Sequence, residues 1–357
     1  MNTNVKHPHL TRFLCIFLAV LILGGLLTVC DRILYPKYVT TSREGSLTEE
    51  YYAAVEKTNH DVLFIGDCEV YESFVPAILW EKYGISSYVR GGAQQLVWHS
   101  YYLLEDALRY ETPRAVVYNV LALKYGTPQK EGYNRLNLDG MAWSASKVDA
   151  IRASMTEEES FASYVFPLLR YHGRWDELTA EDFRYAFGGK PTVSDSGYLM
   201  QIGVVPPDEG SDQPISPLTD YTLPATTMAY LDKMEALCRE RGIELILIKA
   251  PTDSWGYHWY DEWDEQIVDY AEAHGLAYYN LIPKSDEIGL DMTTDTYDKG
   301  VHLNVSGAEK LSRYFGAILK TAHSIPDRRD DTKFSSVWER RVDAYYERKN
   351  DMMKGNS

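Results

Sequence analysis

The sequence predicts a flavodoxin-like, three-layer α/β/α fold built on a parallel sheet and preceded by one N-terminal transmembrane helix. Short apolar runs without polar–apolar alternation are typical of strands buried on both faces. Segments with helical periodicity separate these runs along the chain, which favours a parallel arrangement. An uncharged apolar run at residues 13–30 predicts the membrane helix.

The composition is that of a globular protein. Of the 357 residues, 45% are hydrophobic and 25% are charged, which is a normal balance for a folded chain. The formal net charge of −16 argues against nucleic acid as a partner, because neutralising phosphates requires a basic face. The 28 Tyr and 8 Trp suit stacking on sugars, but such rings also fill cores and interfaces, so both interpretations stay open.

The cysteines give no sign of a disulfide framework or of a zinc site. Cys15 and Cys30 lie in the apolar run, which leaves Cys68 and Cys238 in the soluble part. A single bridge between these two is compatible with the sequence. However, Cys238 falls on the apolar face of a predicted helix, which favours a buried thiol.

The apolar run at residues 13–30 is long enough to act as an anchor. At about 1.5 Å per residue it spans about 27 Å, close to the roughly 30 Å hydrocarbon core of a bilayer. Lys6 and Arg12 precede it and favour a cytoplasmic N-terminus. A cleaved signal peptide is the alternative, but no small-x-small site follows the run. A lipoprotein signal is a second alternative, against which Val29 is bulky before Cys30. We therefore expect an uncleaved single-pass anchor in the cell membrane, with the soluble domain outside the cytoplasm.

The chain is predicted to have four parts and one insertion. These are a cytoplasmic tail and transmembrane anchor at 1–32, a partly helical stalk at 33–60, an α/β domain at 61–325, an insertion in that domain at 123–222, and a charged helical tail at 326–357. The insertion is expected to cover one face of the sheet, since long irregular segments inside compact domains are usually functional or mobile.

The regular elements of the α/β domain follow from local pattern. Strands are predicted at residues 62–65, 87–90, 115–118, 243–248 and 276–281. Helices are predicted at residues 76–83, 97–108, 228–238, 262–274 and 306–319. The last helix is expected to open with a capping box formed by Ser306 and Glu309.

Polar residues follow the predicted strands, and a parallel sheet gathers such positions at one edge. They are Gly66-Asp67-Cys68-Glu69, Gly91-Gly92, Asn119, and the segment 298–304. A nucleophile, a glycine amide, a side-chain amide and an Asp/His pair are the parts that acyl transfer requires.

These blocks resemble those of the SGNH (GDSL-type) hydrolases, in particular the membrane-anchored extracytoplasmic relatives that act in O-acylation of cell-wall polymers and exopolysaccharides. The segment 64–68, Phe-Ile-Gly-Asp-Cys, is similar to the family's first block, with Cys68 where the family has its nucleophilic serine. The segment 300–307 is similar to the last block, but Lys299 stands in the aspartate's place and Asp298 lies one residue earlier. The resemblance covers about residues 61–125 and 226–322.

The resemblance implies a role for each matching residue. Cys68 would be the nucleophile, His302 the base, and Asp298 the carboxylate that orients the histidine. Gly91 or Gly92 and Asn119 would join the Cys68 amide in an oxyanion hole, although Asn119 lacks the family's usual Gly-x-Asn-Asp context. No metal or organic cofactor is implied. The implied substrate is an acyl ester on a glycan of the cell envelope, and a multispan membrane acyltransferase is an implied partner.

Aromatic residues near the last helices offer a candidate sugar platform. Trp255, Trp259 and Trp263 recur every fourth residue, so one helix would place them on one face. Packing is the plainer interpretation of that stripe. On the sugar-binding interpretation, Trp255 and Trp259 contact the substrate together with Asn304 of the last block.

Two functions remain open on the sequence alone. The first is an acyl esterase or O-acyltransferase, a carbohydrate-active hydrolase or transferase with a cysteine nucleophile. The second is a catalytically inactive protein with the same fold that binds glycan or assists assembly. The site residues have plain interpretations too, because Cys68 can be an apolar filler, and His302 and Asn119 can be structural. Thiol chemistry is favoured by the strand-to-helix turn, whose amides stabilise a thiolate.

Overall fold

The structure, a computed structural model, describes residues 8–35, 46–188, 192–208, 216–253 and 258–355. The chain forms two compact units. One consists of residues 1–39 and 159–191, and the other of residues 40–158 and 192–357.

The described helices and strands alternate through most of the chain. The helices are α1 (Pro8–Leu34), α2 (Ser46–Val55), α3 (Cys68–Tyr71), α4 (Pro76–Tyr83), α5 (Val97–Ala107), α6 (Glu131–Leu138), α7 (Ala145–Ser154), α8 (Phe161–Val165), α9 (Leu168–Tyr171), α10 (Ala180–Gly188), α11 (Ala225–Glu240), α12 (Asp261–His274), α13 (Ser285–Ile288), α14 (Val305–Thr321) and α15 (Thr332–Gly355). The strands are β1 (Val62–Gly66), β2 (Ser87–Gly91), β3 (Ala115–Asn119), β4 (Glu244–Lys249) and β5 (Ala277–Asn280).

The smaller unit contains α1 together with α8, α9 and α10. Contacts within this unit join its segments, and one of them is the 2.5 Å hydrogen bond that Arg174 donates to the carbonyl of Leu34. Among the described residues, His9–Leu34 is the helical stretch whose length and apolar composition suffice to cross a membrane. A signal sequence near the N-terminus meets the same criteria, so the structure establishes an apolar N-terminal helix of either kind.

The larger unit is built on a parallel five-stranded sheet with the order β2-β1-β3-β4-β5. This is the flavodoxin-like order of a doubly wound sheet, and it confirms the predicted three-layer α/β/α fold. Alternate side chains of β1 enter two core clusters on opposite faces. Phe64 packs with Phe74 and Phe315 on one face, while Leu63 and Ile65 pack on the other. Because both faces are covered, the strands read as continuous apolar runs.

The turn after β1 depends on a glycine. Gly66 has φ of +156°, and a Cβ placed there would lie 2.6 Å from Cγ2 of Val70 and 3.1 Å from Cβ of Asn119. Any side chain would therefore push the start of α3 away from β3. Gly66 brings the next two residues, Asp67 and Cys68, to the carboxyl edge of the sheet.

Two segments predicted to flank the domain are part of it. In α2, within the predicted stalk, Tyr51 is buried and its hydroxyl donates to Glu111 at 2.8 Å. In α15, within the predicted tail, Trp338 and Tyr345 are fully buried. Both helices carry an apolar face that the α/β unit covers, and this removes that face from water.

The predicted insertion at 123–222 is also divided differently. Its first part, which includes α6 and α7, lies in the α/β unit, where α7 packs against α5. Residues 159–188 belong to the smaller unit instead, and residues 192–208 return to the α/β unit.

Candidate active site

Cys68 is the first residue of α3, directly after the turn that ends β1. Asp67 caps this helix by accepting a hydrogen bond from the amide of Glu69 at 3.2 Å. The Cys68 side chain is 7% exposed and is hydrogen-bonded to the ring of His302. Among the described residues no disulfide forms, and Cys238 is buried on α11 in the core.

His302 is held by the loop that precedes α14. Lys299 and Gly300 have φ of 66° and 87°, so two consecutive residues are left-handed and the loop folds back on itself. As a result Asp298 accepts a 2.7 Å hydrogen bond from the amide of His302 and lies 2.6 Å from its Nδ1. With Nδ1 engaged by Asp298, Nε2 is the ring nitrogen left to exchange a proton with a substrate or with Cys68. The structure thus brings Cys68, His302 and Asp298 together.

A second carboxylate flanks the histidine, and the sequence analysis missed it. Glu72 is buried, and its Oε2 lies 3.6 Å from Nδ1 of His302. Its Oε1 accepts a 2.9 Å hydrogen bond from the hydroxyl of Tyr297. Glu72 follows Cys68 by four residues, and side chains at that spacing share a helical face, so the spacing could have indicated it.

Cys68 and the two carboxylates together control the charge of the ring. Burial by itself lowers the pKa of His302, but Cys68, Asp298 and Glu72 together outweigh burial and raise this pKa to about 12. Burial also raises the pKa of Glu72 to about 7, although His302 and Tyr297 oppose that shift. The charge of the ring is therefore coupled to that of Cys68, and an imidazolium bound to Asp298 accompanies the thiolate.

The thiol is governed by two opposing effects. Burial raises the pKa of Cys68, whereas the charge and the hydrogen bond of His302 lower it. Burial prevails, so the fraction of thiolate should grow as pH rises above neutrality. Once formed, the thiolate is a nucleophile beside an imidazolium that can donate a proton.

A buried ion pair lies behind the turn that carries Cys68. Nζ of Lys249 lies 2.9 Å from both carboxylate oxygens of Glu69, and both side chains are almost completely buried. Asn119 joins them by donating to Glu69 at 2.9 Å and to Asp67 at 3.1 Å, while its oxygen accepts from the amide of Ala250. Burial, and then the charge of Glu69, raises the pKa of Asp67 to about 7.

These bonds decide where the predicted oxyanion donors point. Both amide hydrogens of Asn119 are given to carboxylates. The amide of Gly92 donates to the carbonyl of Gly66 at 3.2 Å. Gly91 pairs with Gly66 in the parallel ladder. An oxyanion hole formed by Gly91, Gly92 and Asn119 thus stays a prediction, and in this structure Asn119 and Gly92 brace the turn.

The predicted sugar platform is only partly within the described residues. Trp255 lies outside them. Trp259 precedes α12, is buried in the core, and donates its indole N–H to Asp264 at 3.1 Å. Trp263 packs against it, with 5.4 Å between the ring centroids. The structure therefore places Trp259 in packing, because the helix begins at Asp261 and the tryptophans do not share one exposed helical face.

Asn304 is placed at the start of α14. Its side-chain oxygen accepts from the amides of Ser306 and Gly307, and its amide donates to the carbonyl of Thr294 at 2.9 Å. This is the N-cap position of the helix, so the predicted cap at Ser306 is wrong by two residues. Asn304 stabilises the loop and the helix start, and as a buried residue it does not offer its side chain to a ligand here.

Lys124 is a further cation that the sequence analysis did not identify. It ends a short 3-10 turn after β3, and its Nζ lies 5.3 Å from the ring centroid of Tyr125 and 5.8 Å from that of Trp263. Burial lowers its pKa, and Glu69 is the strongest of the charges that oppose this shift.

Comparisons with known proteins complete the description. No family model and no curated protein matches this sequence. The chain is similar in structure to a GDSL-like lipase from Bacteroides thetaiotaomicron VPI-5482, with 11% sequence identity and a TM-score of 0.36. The similarity covers 78% of this chain and 100% of the lipase chain.

Proposed function

We propose that this protein is a membrane-anchored, extracytoplasmic SGNH-like acyl esterase or O-acyltransferase that acts on a surface glycan or cell-wall polymer. The observation that carries the proposal is the chain of contacts from Cys68 through His302 to Asp298. A nucleophile hydrogen-bonded to a base, which a carboxylate orients in turn, is the arrangement that acyl transfer by covalent catalysis requires.

The proposed reaction proceeds through a thioester. The Cys68 thiolate attacks the acyl carbonyl, a C–S bond forms, and the carbonyl π electrons move to oxygen. When this intermediate collapses, the C–O bond breaks and the His302 imidazolium protonates the departing alkoxide. Water, or the hydroxyl of an acceptor glycan, then gives its proton to His302 and attacks the thioester. The C–S bond breaks, and the pair of thiolate and imidazolium is restored.

The carboxylates keep the histidine in position through both halves of the reaction. Asp298 binds Nδ1 of His302 at 2.6 Å and stabilises the imidazolium when the alkoxide leaves. Glu72 adds a second negative charge beside the same nitrogen. We further propose that the amide of Cys68 contributes to stabilising the oxyanion. Asn119 can contribute only if one of its carboxylate bonds breaks.

A specific observation favours a second candidate function. The amides of Asn119 and Gly92 are engaged internally, and Cys68 is nearly buried. An inactive relative that binds glycan or assists assembly would retain such a closed site. The burial of Trp259 removes one surface on which that candidate relied. Ester hydrolysis by the wild-type protein would favour the enzyme, and its absence would favour the inactive relative.

Reactivity of the thiol tests the proposed nucleophile. Iodoacetamide should modify Cys68 before Cys238, because burial raises the pKa of Cys238 to about 12 and no imidazolium opposes that shift. The rate at Cys68 should rise with pH, since burial raises its pKa as well. His302→Ala should slow the reaction, because loss of the imidazolium raises the thiol pKa further. Peptide mass spectrometry after timed quenching measures both sites.

The control for this labelling is Cys238→Ala, which should leave the Cys68 rate unchanged. If Cys238 reacted first, or if His302→Ala left the Cys68 rate unaltered, the proposed coupling between thiol and imidazole would be excluded.

The membrane placement is also a proposal. It is supported by the length of α1 and by Lys6 and Arg12 before the apolar run. A reporter active only outside the cytoplasm, fused after residue 45, should be active, while the same fusion to a reporter active only in the cytoplasm should be silent. Cytoplasmic activity would contradict this topology, and a mature N-terminus near residue 31 would show that the helix is a cleaved signal sequence.

The implied partner follows from the same placement. An anchored transferase on the outer side needs an acyl group delivered across the bilayer, and we propose that a multispan membrane acyltransferase supplies it.

A further inference from the structure

A cavity lies in the α/β unit, lined by other residues than those of the candidate active site. Its volume is about 470 Å³, and it is lined by side chains from α2, β2, the segment 192–196 and α15. Pockets of about 300–1,000 Å³ are typical of sites for small ligands. Cys68, His302 and Asp298 are not among its lining residues.

The cavity carries an excess of positive charge. Among the described residues, its basic side chains Lys57, Arg340 and Arg341 have no carboxylate within ion-pair distance. Its acidic side chains are already engaged. Glu50 accepts hydrogen bonds from the amide of Val193 at 2.6 Å and from the hydroxyl of Ser194.

Asp195, the second acidic residue that lines the cavity, forms an ion pair with Arg348, which lines it too. Oδ2 of Asp195 lies 3.2 Å from Nε of Arg348. Within the described part of the chain, the cavity is thus left with three cations outside any ion pair, although the formal net charge of the protein is −16. The positive potential of these basic side chains attracts anions.

Arg341 is the central cation. Its guanidinium lies 4.6 Å from the ring centroid of Trp338, and it donates to the Nε2 of His60 at 3.3 Å and to the carbonyl of Ala54 at 3.1 Å. A guanidinium has five N–H donors, so these two acceptors leave most of them for a ligand. Burial lowers the pKa of Arg341 to about 10, although the charges of Tyr88 and Glu111 oppose that shift.

A second donor in the wall has no protein partner. Trp338 is completely buried, and among the described residues nothing accepts a hydrogen bond from its Nε1. Leaving such an atom without an acceptor is destabilising. The unused guanidinium donors of Arg341 favour an acceptor with negative charge.

The surroundings hold these donors in place. Trp80 stacks on Trp338 with 5.5 Å between ring centroids and an interplanar angle of 14°. His60 accepts from Arg341, and its Nδ1 lies 3.0 Å from Glu111, so the ring is held from both sides. Preorganised donors of this kind favour specific binding over diffuse attraction.

We infer that this cavity binds a small molecule or polymer end that carries a carboxylate or phosphate group. Arg341 binds the anion through a pair of N–H donors, with Arg340 and Lys57 adding charge at the rim. The ligand is either a free small anion or an acidic sugar of the glycan. The inference is independent of the proposed acyl-transfer activity.

Calorimetric titration of the full chain in detergent micelles tests the site. Inorganic phosphate, glucuronate and an oligosaccharide of glucuronate are the probes, and glucose is the neutral control. Saturable binding is expected for at least one of the three anions and absent for glucose. Preference for phosphate identifies a free anion as the source, and preference for the oligosaccharide identifies the glycan. Arg341→Gln should weaken binding at least about tenfold, while Arg341→Lys should restore part of it.

Further variants test the binding site without changing Arg341. Arg340→Gln with Lys57→Gln changes only rim residues and should weaken binding about threefold or more even if the Arg341 variants fail to fold. Cys68→Ala should bind as the wild type does. The inference is overturned if no probe binds saturably, if sodium chloride competes as well as phosphate does, or if the folded Arg341 and rim variants bind as the wild type does.

Discussion

Replacing Cys68 by alanine should reduce the hydrolysis of an aryl acetate to the uncatalysed background. In the proposed reaction every turnover passes through a bond to the Cys68 sulfur, and alanine offers no nucleophilic atom in its place. Removal of a nucleophile that acts as a unit with its base typically costs about 10⁴-fold or more in kcat. Steady-state kinetics on the full chain, after baseline subtraction, measures the loss. In the wild type, rapid quenching and mass spectrometry should find an acyl group on the Cys68 peptide.

Two variants make this experiment interpretable. Cys68→Ser should retain part of the activity, because His302 lies where it can activate a hydroxyl. Cys238→Ala should keep wild-type kcat, since that thiol is buried in the core. If Cys68→Ala hydrolysed the ester as fast as the wild type, another nucleophile would be responsible. An inert wild-type protein with an unmodified Cys68 would favour the glycan-binding candidate.

Replacing Lys249 by methionine should lower the free energy of unfolding by about 3–5 kcal/mol. Lys249 and Glu69 form an ion pair whose side chains are 0% and 1% exposed. Loss of the ammonium leaves the Glu69 carboxylate buried without its ion-pair partner, with the Asn119 amide and the charge of Lys124 nearby, and breaking a buried ion pair in this way is destabilising by that amount. The turn carrying Cys68 should also loosen, because Glu69 is the next residue. Urea denaturation followed by tryptophan fluorescence measures the change.

The matched variants separate charge from packing. Glu69→Gln combined with Lys249→Met should recover most of the stability, because a neutral pair leaves no buried charge. Arg152→Met removes the exposed ion pair with Asp149 and should change stability by about 0–1 kcal/mol. A loss below about 1 kcal/mol in Lys249→Met would contradict the stabilising role assigned to this ion pair.

Part of the candidate site could be predicted because its signals are local in sequence. Cys68 directly follows a buried strand, and Asp298 and His302 are separated by four residues in one loop. For Glu72 the sequence offers a weaker indication, which is that it follows Cys68 by four residues. Lys249 carries none, because it reads as the end of an apolar strand, and its partner Glu69 is 180 residues away in the chain.

The direction in which side chains point was harder to predict than their approximate position. Asn119 lies at the expected edge of the sheet, but its amide hydrogens are taken by Asp67 and Glu69. The sequence left Trp259 open to packing or to sugar binding, and the structure places it before α12, where it is buried. A hydrogen-bond donor points at the strongest acceptor that the fold brings near it, and the sequence does not reveal which acceptor that is.

The sequence by itself determined the fold class, the apolar N-terminal helix and the identity of the residues at the carboxyl edge of the sheet. These features follow from the periodicity of apolar residues and from the residue preferences of turns, and both act over a few residues. Only the tertiary structure decided that α2 and α15 belong to the α/β unit, that Glu72 flanks His302, and that Arg341 lines a cavity in which no described carboxylate is within ion-pair distance of it. Each of these depends on contacts between segments distant in the chain, whose energy comes from burial and pairing that no local pattern encodes.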